Sequence, residues 1–311
     1  MPPRSAAEAG AAGVGGAAVG GAGPTILPPE DLALLGHLAL LHRRLAGGPY
    51  PGSRRSPRTS RSPELADFRP YAPGDDIRQI DWRAYGRLEK LMLRLYVAEE
   101  ESALNVVIDA SQSMALGAPA KWAAARRLAA ALAWLGLAAT DRVAVGVLDA
   151  AGPFTPHLRG RSGSMRILGL LGDLEPAGSA GPSHLGALSW LRPGLTVVVS
   201  DFLGDGDWAA ALADLHSRGQ EPLAWQVLAP DEENPPLAGE ITLVEAETGR
   251  SREMTVNPRV IAAYRLALAE LRDHLRTKAA AAGGRFIHTR SDQDLSASMA
   301  VAAAAGAVRR A

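Results

Sequence analysis

The sequence predicts an α/β fold in which a doubly wound, mainly parallel sheet follows an N-terminal extension made of a helix and β-strands. Two observations support this fold class, and a third limits the chemistry of the chain. From residue 104 onward, short apolar segments rich in β-branched residues alternate with longer helical segments, as in sheets whose parallel strands are joined by helical crossovers. Two of these apolar segments end in an aspartate. Cysteine is absent, which excludes disulfides, thiolate metal sites and cysteine nucleophiles.

Composition narrows the possible partners. The chain has 311 residues, of which 47% are hydrophobic, and Lys+Arg and Asp+Glu both number 33. There is therefore no overall field that favours nucleic acid or an anionic membrane. The most apolar long segment, residues 122–139, contains Arg126 and Arg127 and is typical of a buried helix rather than a membrane span. The first residues lack the apolar block of a secretory signal, so we expect a cytoplasmic protein.

The N-terminal third divides into two predicted parts. Residues 1–27 are almost entirely Ala, Gly and Pro, a composition that buries too little apolar area to order a chain, and they predict a disordered tail. Residues 28–103 predict a helix from Pro28 to about Ala46, a basic loop and a β extension. The loop from Arg54 to Arg61 contains no acid. It could bind a phosphate or an acidic surface, or simply be a solvated loop.

Residues 104–311 predict the α/β domain itself. Five apolar segments are expected to form its parallel strands, with helices between them. An acidic, proline-containing stretch near residues 230–256 interrupts this alternation and predicts an inserted hairpin at the edge of the domain. The predicted strands are 104–108, 142–149, 195–201, 223–228 and 285–289.

A motif with metal-binding chemistry follows the first of these strands. Asp109, Ser111 and Ser113 form an Asp-x-Ser-x-Ser sequence, which directs three small oxygen ligands toward one point, as hard cations such as Mg²⁺ require. Asp201 ends the third strand, and parallel topology brings such strand ends to one edge of the sheet. Ser183 lies between them in the chain, next to a helix start. For the motif alone, a polar helix-capping turn is the alternative interpretation.

This constellation resembles the metal-ion-dependent adhesion site of the von Willebrand factor A fold. In that family an Asp-x-Ser-x-Ser loop, a Thr and a further Asp hold Mg²⁺. The resemblance implies that Asp109, Ser111 and Ser113 supply the first loop and Asp201 the last ligand. Ser183 stands where the family usually has Thr.

A second family resemblance rests on a longer and more specific stretch of sequence than the metal-site motif. The sequence from Tyr71 to Trp82, which contains Pro-Gly-Asp-Asp and Ile-Asp-Trp, the strand after it and the stretch from Asp109 to Met114 resemble the bacterial family called domain of unknown function 58. The similarity covers roughly residues 60–300. Members of that family resemble von Willebrand A domains and are commonly partnered with MoxR-type AAA+ ATPases, so the resemblance implies such a partner here.

The preferred functional interpretation is a metal-ion-dependent protein-interaction module in a chaperone or assembly-like role. A metal held by one or two carboxylates and neutral hydroxyls keeps open positions for a partner's Asp or Glu. The chain lacks a Walker A loop, a Gly-x-Ser-x-Gly elbow and an Asp-x-Asp motif, so we do not expect an enzyme. His184 could be a ligand but is more typical of a capping residue. A Mg-dependent hydrolase and a structural domain with a vestigial site remain alternatives.

The segment from Asp75 to Asp81 is predicted to be structural. Its acids alternate with Arg78 and Arg83 beside Trp82, which indicates a partly buried network of ion pairs that ties the N-terminal strands to the main domain.

Overall fold

The computed structural model of the chain describes residues 26–41, 64–73, 75, 77–97, 103–139 and 141–310. The predicted tail lies outside these residues except for its last two positions, and the basic loop from Arg54 to Arg61 lies outside them entirely. The α-helices are α1 (Pro29–Leu35), α2 (Trp82–Leu88), α3 (Lys121–Ala138), α4 (Gly160–Asp173), α5 (Pro182–Ala187), α6 (Trp208–Ser217), α7 (Pro230–Glu233), α8 (Pro258–Ala281) and α9 (Leu295–Ala304). The strands are β1 (Leu38–Leu40), β2 (Glu64–Pro70), β3 (Met92–Val97), β4 (Ala103–Ile108), β5 (Arg142–Val147), β6 (Gly194–Ser200), β7 (Gln220–Leu228), β8 (Gly239–Val244), β9 (Ser251–Val256), β10 (Arg285–Arg290) and β11 (Val308–Arg310).

Five of these strands form the central sheet, in the order β5-β4-β6-β7-β10, and every neighbouring pair is parallel. They are the five strands that the sequence predicts. After β4 the chain moves to β5 on one side and then to β6 on the other. The carboxyl ends of β4 and β6 therefore flank the point where the order of the strands reverses, which is where open α/β sheets bind ligands.

Helices cover both faces of the sheet. Val106 and Ile108 of β4 belong to the apolar core that also contains side chains of α3, α4 and α9, whereas Val107 belongs to the core on the opposite face, with α5, α6 and α8. Successive strand residues point to opposite faces, so a strand covered on both sides is mostly apolar. The polar exception in β4, Asn105, donates a hydrogen bond to Thr196 of β6 at 3.0 Å. All six residues of β4 are buried. The doubly wound α/β arrangement is thus confirmed.

The predicted helix from Pro28 to about Ala46 is wrong in length. Helix α1 ends at Leu35, and residues 38–40 form β1, which pairs antiparallel with β11. The leucine spacing that suggested a long helix instead buries Leu35 in the helix and Leu40 in the strand, both in the same core as α3. A partner at the far end of the chain decides this conformation, and local periodicity does not reveal it.

Two antiparallel hairpins stand apart from the central sheet, one formed by β2 and β3 and the other by β8 and β9. Asp81 lies between the strands of the first hairpin, and it is buried and caps α2 by accepting hydrogen bonds from the Arg83 and Ala84 N–H groups at 2.9 and 3.1 Å. Trp82, the next residue, is 63% exposed. The network of ion pairs around the Asp75–Asp81 segment stays a prediction. Within the described residues, no helix is long and apolar enough to span a membrane.

Candidate functional site

Asp109 and Asp201 lie at the same edge of the sheet. Each directly follows its strand, β4 or β6, and these strands are neighbours in parallel register, with Ile108 beside Val199. The Asp109 N–H donates to the Val199 carbonyl at 2.8 Å, which extends the pairing to the first loop residue. Both aspartates are 2% exposed. Two buried carboxylates therefore stand side by side at the point where the order of the strands reverses.

Hydrogen bonds connect these carboxylates through the loop serines. The Ser111 N–H donates to Asp109 Oδ1 at 2.8 Å, and the hydroxyls of Ser111 and Ser113 lie 3.0 Å apart. Ser113 Oγ in turn donates to Asp201 Oδ2 at 2.9 Å. From the other strand, Ser200 Oγ donates to Asp109 Oδ2 at 2.6 Å. Four of the five residues that the sequence singles out thus form one connected group.

Ser183, the fifth predicted residue, is placed differently. It lies exposed in the first turn of α5 and makes no hydrogen bond to the other four among the described residues. The start of α5 nevertheless lies beside the loop that follows β6, because a Cβ on Gly206 (φ +122°) would come within 2.6 Å of Pro182 Cγ. A ligand role for Ser183 is what the family resemblance implies, and no contact among the described residues tests it. His184 Nδ1 accepts a hydrogen bond from the Gly181 N–H at 3.2 Å and so caps this helix.

Two charged residues that the sequence analysis did not single out complete the site. Lys121, the first residue of α3, is fully buried, and its Nζ lies 2.7 Å from Asp201 Oδ2 and 2.5 Å from Glu232 Oε1. Glu232 belongs to the short helix α7, and its Oε2 also accepts the Ala229 N–H at 2.8 Å. Tyr264 of α8 donates its hydroxyl to the Glu232 carbonyl at 2.6 Å. The ammonium is therefore held between two carboxylates that different elements position.

Negative charge exceeds positive charge in this buried group. Burial and then the nearby Asp201 carboxylate raise the pKa of Asp109, although hydrogen bonds from Ser200 and Ser111 act in the opposite direction. Burial also raises the pKa of Glu232 despite its contact with Lys121. Burial lowers the pKa of the Lys121 ammonium, but Asp201 and Glu232 reverse this effect and the net direction is upward.

The turn of the β8–β9 hairpin adds a further acidic residue, Glu247, near the two aspartates of the site. Burial raises the pKa of Glu247 first, and then the Asp109 and Asp201 carboxylates raise it further. The hairpin emerges between α7 and α8, which both contact the site through Glu232 and Tyr264. A cation would thus meet an acidic surface at this edge, whereas a free carboxylate would meet repulsion.

The side chains at this site offer the kind of ligand atoms that a hard divalent cation binds. Two carboxylates and two hydroxyls offer only oxygen, which Mg²⁺ prefers. Within the described residues no group of three or more His, Cys, Asp or Glu is arranged to hold a metal, so any ion here depends on the hydroxyls of Ser111 and Ser113. Those residues are also the ones that the von Willebrand A resemblance marks as ligands.

A family model described as a protein of unknown function, DUF58, matches residues 67–274. The chain belongs to this family. An uncharacterized protein of Mycobacterium tuberculosis is 29% identical over 242 residues, which cover 74% of this DUF58 chain and 75% of the relative. An uncharacterized protein of Mycobacterium avium is 33% identical over 103 residues, which cover 33% of this chain and 60% of the relative.

Two solved structures are similar at lower identity. The conserved hypothetical protein BatB from Bacteroides thetaiotaomicron has a TM-score of 0.39 and 16% identity, covering 65% of this chain and 96% of its own. An aerotolerance-related membrane protein from Bacteroides fragilis has a TM-score of 0.41 and 19% identity, covering 64% of this chain and 96% of its own. At these scores neither structure decides the fold or the function of the DUF58 chain.

One signal in the DUF58 sequence could have identified Lys121. It is the first charged residue after the Asp-x-Ser-x-Ser motif, and it opens an Ala-rich helix whose other charged residues are Arg126 and Arg127. A lysine in such a helix is rarely fully buried unless it is paired. Glu232 carries no comparable signal, because it is one of three consecutive acids and only the fold selects it.

Proposed function

We propose that this protein is a metal-ion-dependent protein-interaction module of the von Willebrand factor A type. Its binding site would be the sheet edge that holds Asp109, Ser111, Ser113 and Asp201. The observation that carries the proposal is the hydrogen-bonded connection of these four residues across two neighbouring strands. Oxygen donors from two loops at the switch point of a parallel sheet suit an Mg²⁺ ion that keeps open positions toward solvent.

The proposal assigns binding, not turnover, to this site. The serine hydroxyls donate to carboxylates or to each other and His184 caps a helix, so among the described residues of this site no serine is paired with a histidine base. A partner's Asp or Glu would complete the coordination of the metal. Without the ion, the acidic rim that includes Glu247 repels the same carboxylate, which makes binding depend steeply on metal.

The partner we propose is a MoxR-type AAA+ ATPase, with the complex acting in a chaperone or assembly-like role in the cytoplasm. This part of the proposal rests on the family resemblance of the Tyr71–Trp82 segment and on the match to DUF58. The chemistry of the site adds one requirement, which is that the partner must present an exposed carboxylate.

A binding titration tests the proposal. The purified full chain is titrated with a purified MoxR-type ATPase from the same organism, in MgCl₂ and in EDTA, at low and high salt. We expect binding in MgCl₂ and loss of binding in EDTA. Asp109→Ala should lose binding at both salt concentrations, because a direct metal–oxygen bond is barely screened by salt.

The matched control is Asp149→Ala. Asp149 follows the neighbouring strand β5 at the same edge, but it is exposed, and within the described residues its Oδ1 accepts only the Ala151 N–H, at 3.0 Å. This variant should bind like the wild type. If the wild type binds the ATPase equally well in EDTA, the metal-bridge mechanism is wrong.

One observation favours a second candidate, a structural domain with a vestigial metal site. The Lys121 ammonium already sits against Asp201 and could satisfy that carboxylate permanently. In this case the wild type would bind no divalent ion at millimolar concentration, and Asp109→Ala would change stability without changing partner binding.

A further inference from the structure

Lys121 places a positive charge inside the candidate metal site. Its side chain is fully buried, with a relative exposure of 0%, and its Nζ contacts Asp201 and Glu232. A buried ammonium is costly unless carboxylates surround it. The two carboxylates therefore stabilise the ammonium in this position.

Lys121 Nζ contacts one particular oxygen of the Asp201 carboxylate, Oδ2. Asp201 Oδ2 accepts hydrogen bonds from both Lys121 Nζ, at 2.7 Å, and Ser113 Oγ, at 2.9 Å. Asp201 Oδ1 accepts the Leu203 N–H at 3.1 Å. The oxygen that faces the serine loop, and that an ion bound there would use, is thus the one that Lys121 already occupies.

We propose that Lys121 is a tethered cation that competes with a divalent metal for Asp201 and withdraws onto Glu232 when the metal enters. The inference rests on the proposed function, because it concerns the same site. A divalent ion and an ammonium on one carboxylate oxygen would repel each other strongly in a buried environment. Glu232 can continue to bind the ammonium, because hydrogen bonds from the Ala229 N–H and the Tyr264 hydroxyl hold Glu232 in position.

This competition gives Lys121 a role in ion selectivity. A monovalent ion gains no more from Asp201 than the ammonium that it would have to displace, whereas a divalent ion gains about twice the attraction. Lys121 therefore excludes Na⁺ and K⁺ and weakens the binding of Mg²⁺. It also links the metal to α7 through Glu232, and hence to the base of the β8–β9 hairpin.

The test measures metal binding directly. The full chain and its Lys121→Met variant are titrated with MgCl₂ by calorimetry and with Mn²⁺ by electron paramagnetic resonance. Because methionine preserves much of the volume of lysine without its charge, we expect Lys121→Met to bind both ions roughly tenfold tighter or more. Lys90→Met, which removes an exposed lysine, should bind like the wild type.

A second pair of variants covers the case in which Lys121→Met does not fold. In Glu232→Gln, Lys121 loses its alternative carboxylate and stays on Asp201, so Mg²⁺ should bind roughly tenfold more weakly. Glu233→Gln removes a charge from the adjacent position, where the carboxylate pairs with Arg272 and His288 instead. Equal effects of Glu232→Gln and Glu233→Gln would overturn the inference, because overall charge alone would then explain them.

The outcomes separate this inference from the proposed function. If the wild type and Lys121→Met bind Mg²⁺ equally, the competition is disproved while the metal site stands. If only Lys121→Met binds Mg²⁺, Lys121 does occupy the site but the proposed metal-dependent function of the wild type fails. If neither protein binds the ion, both proposals are wrong.

Discussion

Ser113 Oγ donates a 2.9 Å hydrogen bond to Asp201 Oδ2, although the two residues lie 88 positions apart in the chain. The bond ties the loop after β4 to the end of β6 and fixes the direction of the serine hydroxyl. Ser113 is thereby placed among the oxygens that would contact an ion.

Ser113→Ala and Ser183→Ala should therefore differ in their effect on metal binding. Ser113 contacts both Ser111 and Asp201, so its loss should weaken Mg²⁺ binding by roughly 10–100-fold. Ser183 is exposed and unconnected to this group within the described residues, so its loss should change binding less than about threefold. Calorimetric titration with MgCl₂ measures both. An equal loss in Ser183→Ala would show that Ser183 is a ligand, as the family resemblance implies.

The sequence predicts part of this site because strand ends are visible in it. An apolar segment that ends in Asp109 or Asp201 marks a carboxyl edge, and parallel topology brings such edges together. Lys121 and Glu232 belong to segments with other apparent roles, a helix start and an acidic loop. Their meeting depends on how α3 and α7 pack at the sheet edge, which no local pattern encodes.

The fold, like the site, has parts that the sequence predicts and parts that depend on contacts between distant segments. The five central strands are predictable because a strand buried on both faces is mostly apolar, as in β4 and β6. Among the polar exceptions, Asn105 and Thr196 hydrogen-bond to each other. The strand β1 is not predictable in this way, because Leu38–Leu40 is short and pairs with β11 at the other end of the chain. Such a long-range pairing overrides the helical spacing of the leucines.

The ion pair between Asp31 and Arg127 should anchor the N-terminal segment to the main domain. Asp31 is 4% exposed and accepts two hydrogen bonds from the Arg127 guanidinium, at 2.5 and 2.6 Å. Since Arg127 is about one-third exposed, we expect Asp31→Ala to lower the free energy of unfolding by about 1–3 kcal/mol, less than for a fully buried pair. Urea denaturation measures the change. Glu30→Ala, at the exposed neighbouring position, should change it by less than about 0.5 kcal/mol.

Asp81 should stabilise the first hairpin by capping α2. Its Oδ1 accepts two N–H groups at the start of that helix, so Asp81→Ala should lower the free energy of unfolding by about 1–2 kcal/mol. Asp81→Asn keeps an acceptor oxygen and should retain most of the stability. Thermal unfolding of both variants measures the difference.

Trp82→Ala is the matched comparison for Asp81, because the indole is 63% exposed and packs edge to face only with Tyr85 among the rings of the described residues. It should lower stability by less than about 1 kcal/mol. If instead Asp81→Ala left the melting temperature unchanged and abolished partner binding, the segment from Asp75 to Asp81 would be an interaction surface rather than a structural one.

His157 should make stability depend on pH. Burial, and then the positive charges of Arg192 and Arg142, lower the pKa of His157 from 6.5 to about 4. His157 Nε2 lies 2.9 Å from Asn105 Oδ1. This oxygen accepts the hydrogen bond, because the two N–H groups of the Asn105 amide face three other acceptors, the Arg192 carbonyl, the Thr196 hydroxyl and Gln220 Oε1. The neutral ring is therefore the form that the folded state holds.

The direction in which stability changes with pH follows from the number of protons that the folded and unfolded chains bind. Between pH 6.5 and about 4 the unfolded chain binds a proton at this ring and the folded chain does not, so stability falls as the pH falls through this window and levels off below it. A shift of this size corresponds to at most about 3 kcal/mol, and because the ring is only half-buried we expect about 1–2 kcal/mol. His157→Gln should lose this part of the pH dependence, whereas exposed His37→Gln should retain it. Urea denaturation at pH 7 and at about pH 4.5, roughly half a unit above the folded pKa, measures this dependence. An identical change in stability for the wild type and His157→Gln would show that His157 is not the residue responsible.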